Sequence, residues 1–111
     1  MKANVEIDAG ICGLQTKAQI VSNDGQNITF DVTTNCEKIV RLAQILREKG
    51  HIDAYQEISP GGTAVIMTAV KETLTGCCAG CAVPVGLFKA MQVAANLALP
   101  RDINIKLTKE D

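Results

Sequence analysis

Aromatic side chains are scarce in this chain. Tryptophan is absent, and Phe30, Tyr55 and Phe88 are the only aromatic residues. That excludes the stacking platforms on which single-stranded nucleic acid is held. Charge of either sign is balanced, with a formal net charge of −1, so nothing draws the chain towards phosphate backbones or anionic lipid. Neither nucleic acid nor membrane is expected as a partner. Long apolar runs are missing as well, the longest falling far short of the roughly 20 residues that a membrane-spanning helix needs. Met1–Glu6 contains no apolar h-region, so no secretory signal is expected and the chain reads as cytoplasmic. Histidine occurs once, as His51. It follows a glycine that ends a helix, where a solvated position is a simpler reading than a ligand. No acid pair stands out: Asp8, Glu37 and Asp53 read as strand-face, capping and surface residues. Gly61-Gly62 is a turn without the lysine and hydroxyl of a phosphate loop.

What the chain does have is cysteine. There are five, an odd number that would leave one thiol over in a closed disulfide framework. In a cytoplasmic setting structural disulfides are rare, and clustered thiols more often bind metal or carry out redox chemistry. Cys77, Cys78 and Cys81 fall within Gly76-Cys77-Cys78-Ala79-Gly80-Cys81, and Cys12 and Cys36 lie far upstream.

The remaining sequence describes a scaffold for those sulfurs. Its 111 residues suit one domain with one core, residues 1–111. Lys2–Ala9 alternates, with Ala3, Val5 and Ile7 facing one way, as a half-buried strand does. Gly10-Ile11-Cys12-Gly13 makes a loop. Gln15–Ser22 alternates again, with Ala18 and Ile20 inward. Asn23-Asp24-Gly25-Gln26 signals a hairpin, and Asn27–Thr33 follows with Ile28, Phe30 and Val32 inward. Thr34-Asn35-Cys36-Glu37 matches a capping box, a Thr N-cap with Glu three residues on, which would put Cys36 at the second position of the helix. The helix it opens runs to about Lys49, with Ile39, Leu42, Ala43 and Leu46 as its apolar stripe and Gly50 as its stop.

His51–Ile58 fits either a short strand or one or two helical turns, and Ser59-Pro60-Gly61-Gly62 reads as a loop. Thr63–Thr75 is helical by length. Pro84 suits a first helical position, and the helix it starts carries Leu87, Phe88, Met91, Ala94, Ala95 and Ala98. That helix is apolar on most faces, so it is central or lies at a subunit contact, the latter giving a homodimer. Met67 and Met91 read as core. Asp102–Thr108 alternates as a closing strand with Ile103, Ile105 and Leu107 inward. Strands, then helices, then a strand predict a two-layer α+β domain: an antiparallel three-stranded meander plus a C-terminal strand, with helices on one face.

Cys78-Ala79-Gly80-Cys81 is a C-x-x-C, a spacing at which two side chains meet one metal centre. Cys77 adjoins Cys78, and neighbouring side chains point apart, so one of the two is spare or has a second role. First and third strands of a meander run parallel, so Cys12 and Cys36 fall near one common edge. Cys36 and Cys81 both sit near helix N-termini, where free N–H groups and the macrodipole favour anionic sulfur. Soft thiolates in this number suit an iron–sulfur cluster with four irons and four sulfides, with Cys12, Cys36 and Cys81 as ligands and Cys78 or Cys77 as the fourth. Structural zinc on the same sulfurs and a thiol redox or sulfur-transfer protein, with Cys78 or Cys81 as nucleophile, are the alternatives. Taken singly, Cys12 or Cys36 also fits plain core packing. The expected partner is a redox or sulfur-handling protein.

In the combination of Gly10-Ile11-Cys12-Gly13, Thr34-Asn35-Cys36-Glu37 and Gly76-Cys77-Cys78-Ala79-Gly80-Cys81, nearly the whole chain resembles a small family of uncharacterised proteins from anaerobic bacteria and archaea. The resemblance implies a domain of unknown function and brings no activity with it. The anaerobic setting it implies would suit an oxygen-sensitive cluster.

Overall fold

Alternation carries the first three elements. In a computed structural model, which describes residues 1–59 and 61–111, β1 (Lys2–Asp8), β2 (Gln15–Ser22) and β3 (Asn27–Thr34) form the predicted antiparallel meander. The register pairs Ile7 with Thr16 and Thr16 with Thr34, so β1 and β3 end at the same edge of the sheet. Ala3, Ala18, Ile20 and Ile28 are buried on one face. The opposite face is polar: Lys17 Nζ lies 3.5 Å from a Glu6 carboxylate oxygen, and Gln19 Nε2 donates to Asn4 Oδ1 at 3.1 Å. A period of two thus gives the sheet one wet and one dry side.

The fourth strand is not the one predicted. β4 is Ile52–Asp53, paired antiparallel to the start of β3, giving the order β1-β2-β3-β4. Asp102–Thr108 forms no strand, and every residue from Leu99 to Asp111 is exposed. Its alternation is strand-like, but a ladder also needs a neighbouring strand to supply partners for the N–H and C=O groups. Here the tail has none.

The helices lie on the dry face. α1 (Glu37–Glu48) buries Ile39, Leu42, Ala43 and Leu46, the stripe that its spacing predicts, and packs on β3. Its start departs from expectation. Thr34 is the last residue of β3, its Oγ1 bonded to Thr16 Oγ1 at 2.9 Å, and Cys36 is the N-cap, with no side-chain capping bond. Thr34 Oγ1 accepts from Cys36 N at 3.1 Å. The hydroxyl is committed to the sheet edge and never reaches the helix N–H groups, so the capping box does not form. After β4 the chain turns into α2 (Ala54–Ile58), so the ambiguous stretch is both strand and helix. Asp53 caps α2 through Tyr55 N at 2.9 Å. The predicted loop at Ser59–Gly62 closes with Gly62 N donating to Ser59 O at 3.0 Å; Pro60 lies outside the described residues.

α3 (Val65–Thr73) packs against α1. A 3-10 turn at Gly76–Gly80 leads to α4 (Val83–Ala94), which lies over β1 and β2. Met91 is fully buried, as expected of core; Met67 is 42% exposed and is not. The stretch Gly76–Ala94 is long and apolar enough to cross a membrane on length and composition alone. It is broken between the 3-10 turn and α4. The helix itself is about 18 Å long, against roughly 30 Å of hydrocarbon, and turns Leu87, Ala90, Met91 and Ala94 into the core.

Candidate functional site

Of the three cysteine-bearing segments, the β1–β2 loop and the β3–α1 junction lie at the edge of the sheet where β1 and β3 finish, and two contacts set the third, the cysteine turn, on the same side of the molecule. The first segment is the β1–β2 loop. Gly10 N donates to Asp8 Oδ1 at 3.0 Å and Gly13 N to Gly10 O at 2.9 Å. Both glycines have positive φ, +89° and +71°, a conformation that residues with a Cβ adopt only at a cost. The turn holds Cys12 and Ile11 out into solvent, Ile11 completely.

The second segment is the β3–α1 junction. Cys36, as N-cap, accepts Val40 N on its carbonyl at 2.9 Å and is half-buried. The third is the 3-10 turn. Cys78 N donates to Thr75 O at 3.2 Å and Cys81 N to Cys78 O at 3.1 Å. Residues three apart eclipse in such a turn, so Cys78 and Cys81 share a side; both are half-buried and pack against the core, as does Cys36. Cys77 is exposed; adjacency set it apart from Cys78 without deciding which of the two faces solvent. Cys81 stands two residues ahead of α4, whose N-cap is Ala82.

Two contacts join the segments. Lys38 Nζ, in the first turn of α1, donates to Thr75 O at 3.3 Å, tying the Cys36 junction to the start of the cysteine turn. Gly86 of α4 sits so close to β1 that a Cβ there would lie 2.5 Å from Ile7 Cδ1, which sets the α4 end of the cysteine turn against the strand leading to Cys12. Sequence reading missed Lys38, because a single lysine one turn into a helix carries no signal until the fold brings Thr75 beside it.

All five cysteines are free thiols. The shared edge is as expected, and Cys36 and Cys81 both stand near helix N-termini as expected, although Cys36 is the N-cap of α1 and not its second residue. Convergence of the side chains is a separate matter: among the described residues, no three His, Cys, Asp or Glu side chains stand close enough to hold one metal ion. His51 is exposed, after α1 ends with Gly50 N donating to Arg47 O at 3.0 Å. Asp8 and Asp53 are occupied by turn and cap bonds, and Glu37 lies in the first turn of α1 without capping it.

No curated protein and no solved structure matches the chain. Residues 3–107 match the model of a family of unknown function, DUF6951. The match spans all four strands and four helices but for the first residue of β1, and the chain belongs to that family.

Proposed function

We propose that the chain is a small iron–sulfur protein, holding a cluster of four irons and four sulfides at the sheet edge where β1 and β3 end. The observation that carries this reading is the gathering of three cysteine-bearing segments, remote in sequence, on that one side of the molecule. Cys36, Cys78 and Cys81 border the core and supply three thiolates; Cys12, on its glycine turn, supplies the fourth. Cys78 is the better partner for Cys81 because the two share a side of the 3-10 turn, and Cys77 faces solvent. An anionic cluster is favoured there by the N-termini of α1 and α4 and by Lys38. The sulfurs have to move together to bind, so cluster loading orders the β1–β2 loop and the 3-10 turn. The role that follows is electron transfer with a redox partner, or the handling of sulfur or a small ligand at an iron left open if only three thiolates bind. A cytoplasmic, anaerobic setting suits either role.

Iron, acid-labile sulfide and zinc per chain, measured on anaerobically purified protein, test this. About four irons with matching sulfide are expected, lost in Cys81→Ser and retained in Cys77→Ser. Zinc near one per chain would make the site a structural zinc centre. Freely titrating thiols without either metal would leave thiol redox or sulfur transfer.

A further inference from the structure

The C-terminal tail has the pattern of a strand and the exposure of none. Ile103 is 51% exposed, Ile105 63% and Leu107 91%, alternating with Asp102, Asn104, Lys106 and Thr108. Isolated apolar side chains on a surface are ordinary, but an alternating row on extended chain is half of a sheet pair. The other half is on the same molecule. Among the described residues β1 is the sheet's outer strand and pairs only with β2, so its far side carries free N–H and C=O groups, a template for an added strand.

The path of α4 gives the direction such an addition takes within the fold's own connectivity, and the charge register gives it independently of which copy lends the tail. Gly86, early in α4, lies against Ile7 near the end of β1. Ala95, just past the helix, lies beside Gly25 in the β2–β3 hairpin, at the end where Ser22 N donates to Met1 O. α4 therefore runs antiparallel to β1, and the chain leaves it at the N-terminal end of β1. A strand following α4 onto that edge runs parallel to β1.

In the parallel register every position is matched. Ala3, Val5 and Ile7 stand beside Ile103, Ile105 and Leu107 on the dry face. Lys2 stands beside Asp102 and Glu6 beside Lys106 on the wet face, each an opposite-charge pair. The antiparallel register that centres the same residues sets Asp8 against Asp102 and leaves Lys2 and Glu6 opposite the uncharged Thr108 and Asn104, and the slip centred on Asn4 and Asn104 sets Lys2 against Lys106 and Glu6 against Asp102. An antiparallel slip that restores the Glu6–Lys106 pair drives Lys109 onto Ala3 on the dry face. Like charges directly opposite destabilise a pair and unlike charges support it.

The tail does not lie on its own β1. Asn96 takes a φ of +61° and Leu97 N donates to Gln92 O at 2.7 Å. Leu99-Pro100 then continues as exposed chain, since the residue before a proline is held extended. The molecule is accordingly drawn out, 49 Å along one axis and 28 and 27 Å along the others.

We infer that residues 102–108 add to the free edge of β1 of a second copy, each copy lending its tail to the other in a strand-exchanged dimer. Exchange of a terminal element past a stiff hinge is a low-cost route to a closed, two-fold assembly. The apolar row on each tail is then covered beside Val5 and Ile7, which are only half-buried in the single chain.

Sedimentation of the full chain over a range of concentrations tests this independently of metal content. The expected result is a species of twice the 11.8 kDa chain mass that Ile105→Asp reduces to a monomer with unchanged helicity. Glu6→Lys and Lys106→Glu each place two like-charge pairs in the dimer and raise its Kd by about tenfold. Mixed together, these two variants regain the original affinity as a heterodimer, because each tail then meets an edge of opposite charge. Pairing within one chain gives no such rescue. A chain that is monomeric throughout, a dimer indifferent to Ile105→Asp, or reversals that mixing does not repair overturns the inference.

Discussion

Asp24 does more in the β2–β3 hairpin than mark a turn. Its carboxylate accepts Asn27 Nδ2 at 2.8 Å, Asn27 N at 2.8 Å and Gln26 N at 2.9 Å. These bonds, the Asn27 side chain first, hold its pKa well below the usual carboxylate range. A depressed carboxylate contributes stability that is present above its unfolded pKa of 3.8 and is lost as the pH falls towards the folded value. Asp24→Asn is therefore less stable than the parent chain at neutral pH, and the gap narrows as the pH drops from about 4 to about 2. Urea midpoints at the two pH extremes check this; a gap independent of pH would deny the carboxylate its role. Glu57 is a second case of a single side chain tying an element down. Its two oxygens accept Val65 N at 2.9 Å and Ile66 N at 2.7 Å, capping α3 from α2. Glu57→Ala costs about 1 kcal/mol and lowers the Tm by about 4–8 °C, which calorimetry reads directly.

Among the elements, α4 rests on β1 through a missing side chain. Gly86 is the close contact, and Ile7 Cγ1 and Cδ1 fill the place its Cβ would take. Gly86→Val pushes the helix off the strand and costs about 1–3 kcal/mol by overpacking, measured as a fall in the urea midpoint. Gly86→Ala costs less if the end of Ile7 can turn aside. Gly86→Val also moves the 3-10 turn away from the β1–β2 loop, so if the chain holds the proposed cluster, this variant loses more iron than an equally destabilising change in β4. α1 shows the opposite balance. Its stripe of Ile39, Leu42, Ala43 and Leu46 was legible because a period of 3.6 maps directly onto a buried face, whereas its first turn was misread. Thr34 and Glu37 have the spacing of a capping box, but sheet pairing reached Thr34 first, and a hydroxyl held by Thr16 is not free to cap.

For the molecule as a whole, local pattern and long-range placement divide the account between them. The sequence alone determined the meander, because alternation and the turn at Asp24-Gly25 each involve neighbours in the chain. It also determined the faces of the strands and of α1, and the common edge for Cys12 and Cys36 that a meander imposes. The count and the C-x-x-C spacing singled out the cysteines, and adjacency set Cys77 apart from Cys78, but only the fold decided which of the two faces solvent. Only the tertiary structure decided which chain segment completes the sheet. Ile52–Asp53 and Ile103–Leu107 both have the residues for a strand, and the choice rests on which reaches a free edge, a matter of chain path that local pattern does not contain. Lys38 against Thr75, Glu57 under α3 and Gly86 against Ile7 were hidden for the same reason. Each joins residues that local periodicity treats as unrelated, and each exists only once packing has brought them together.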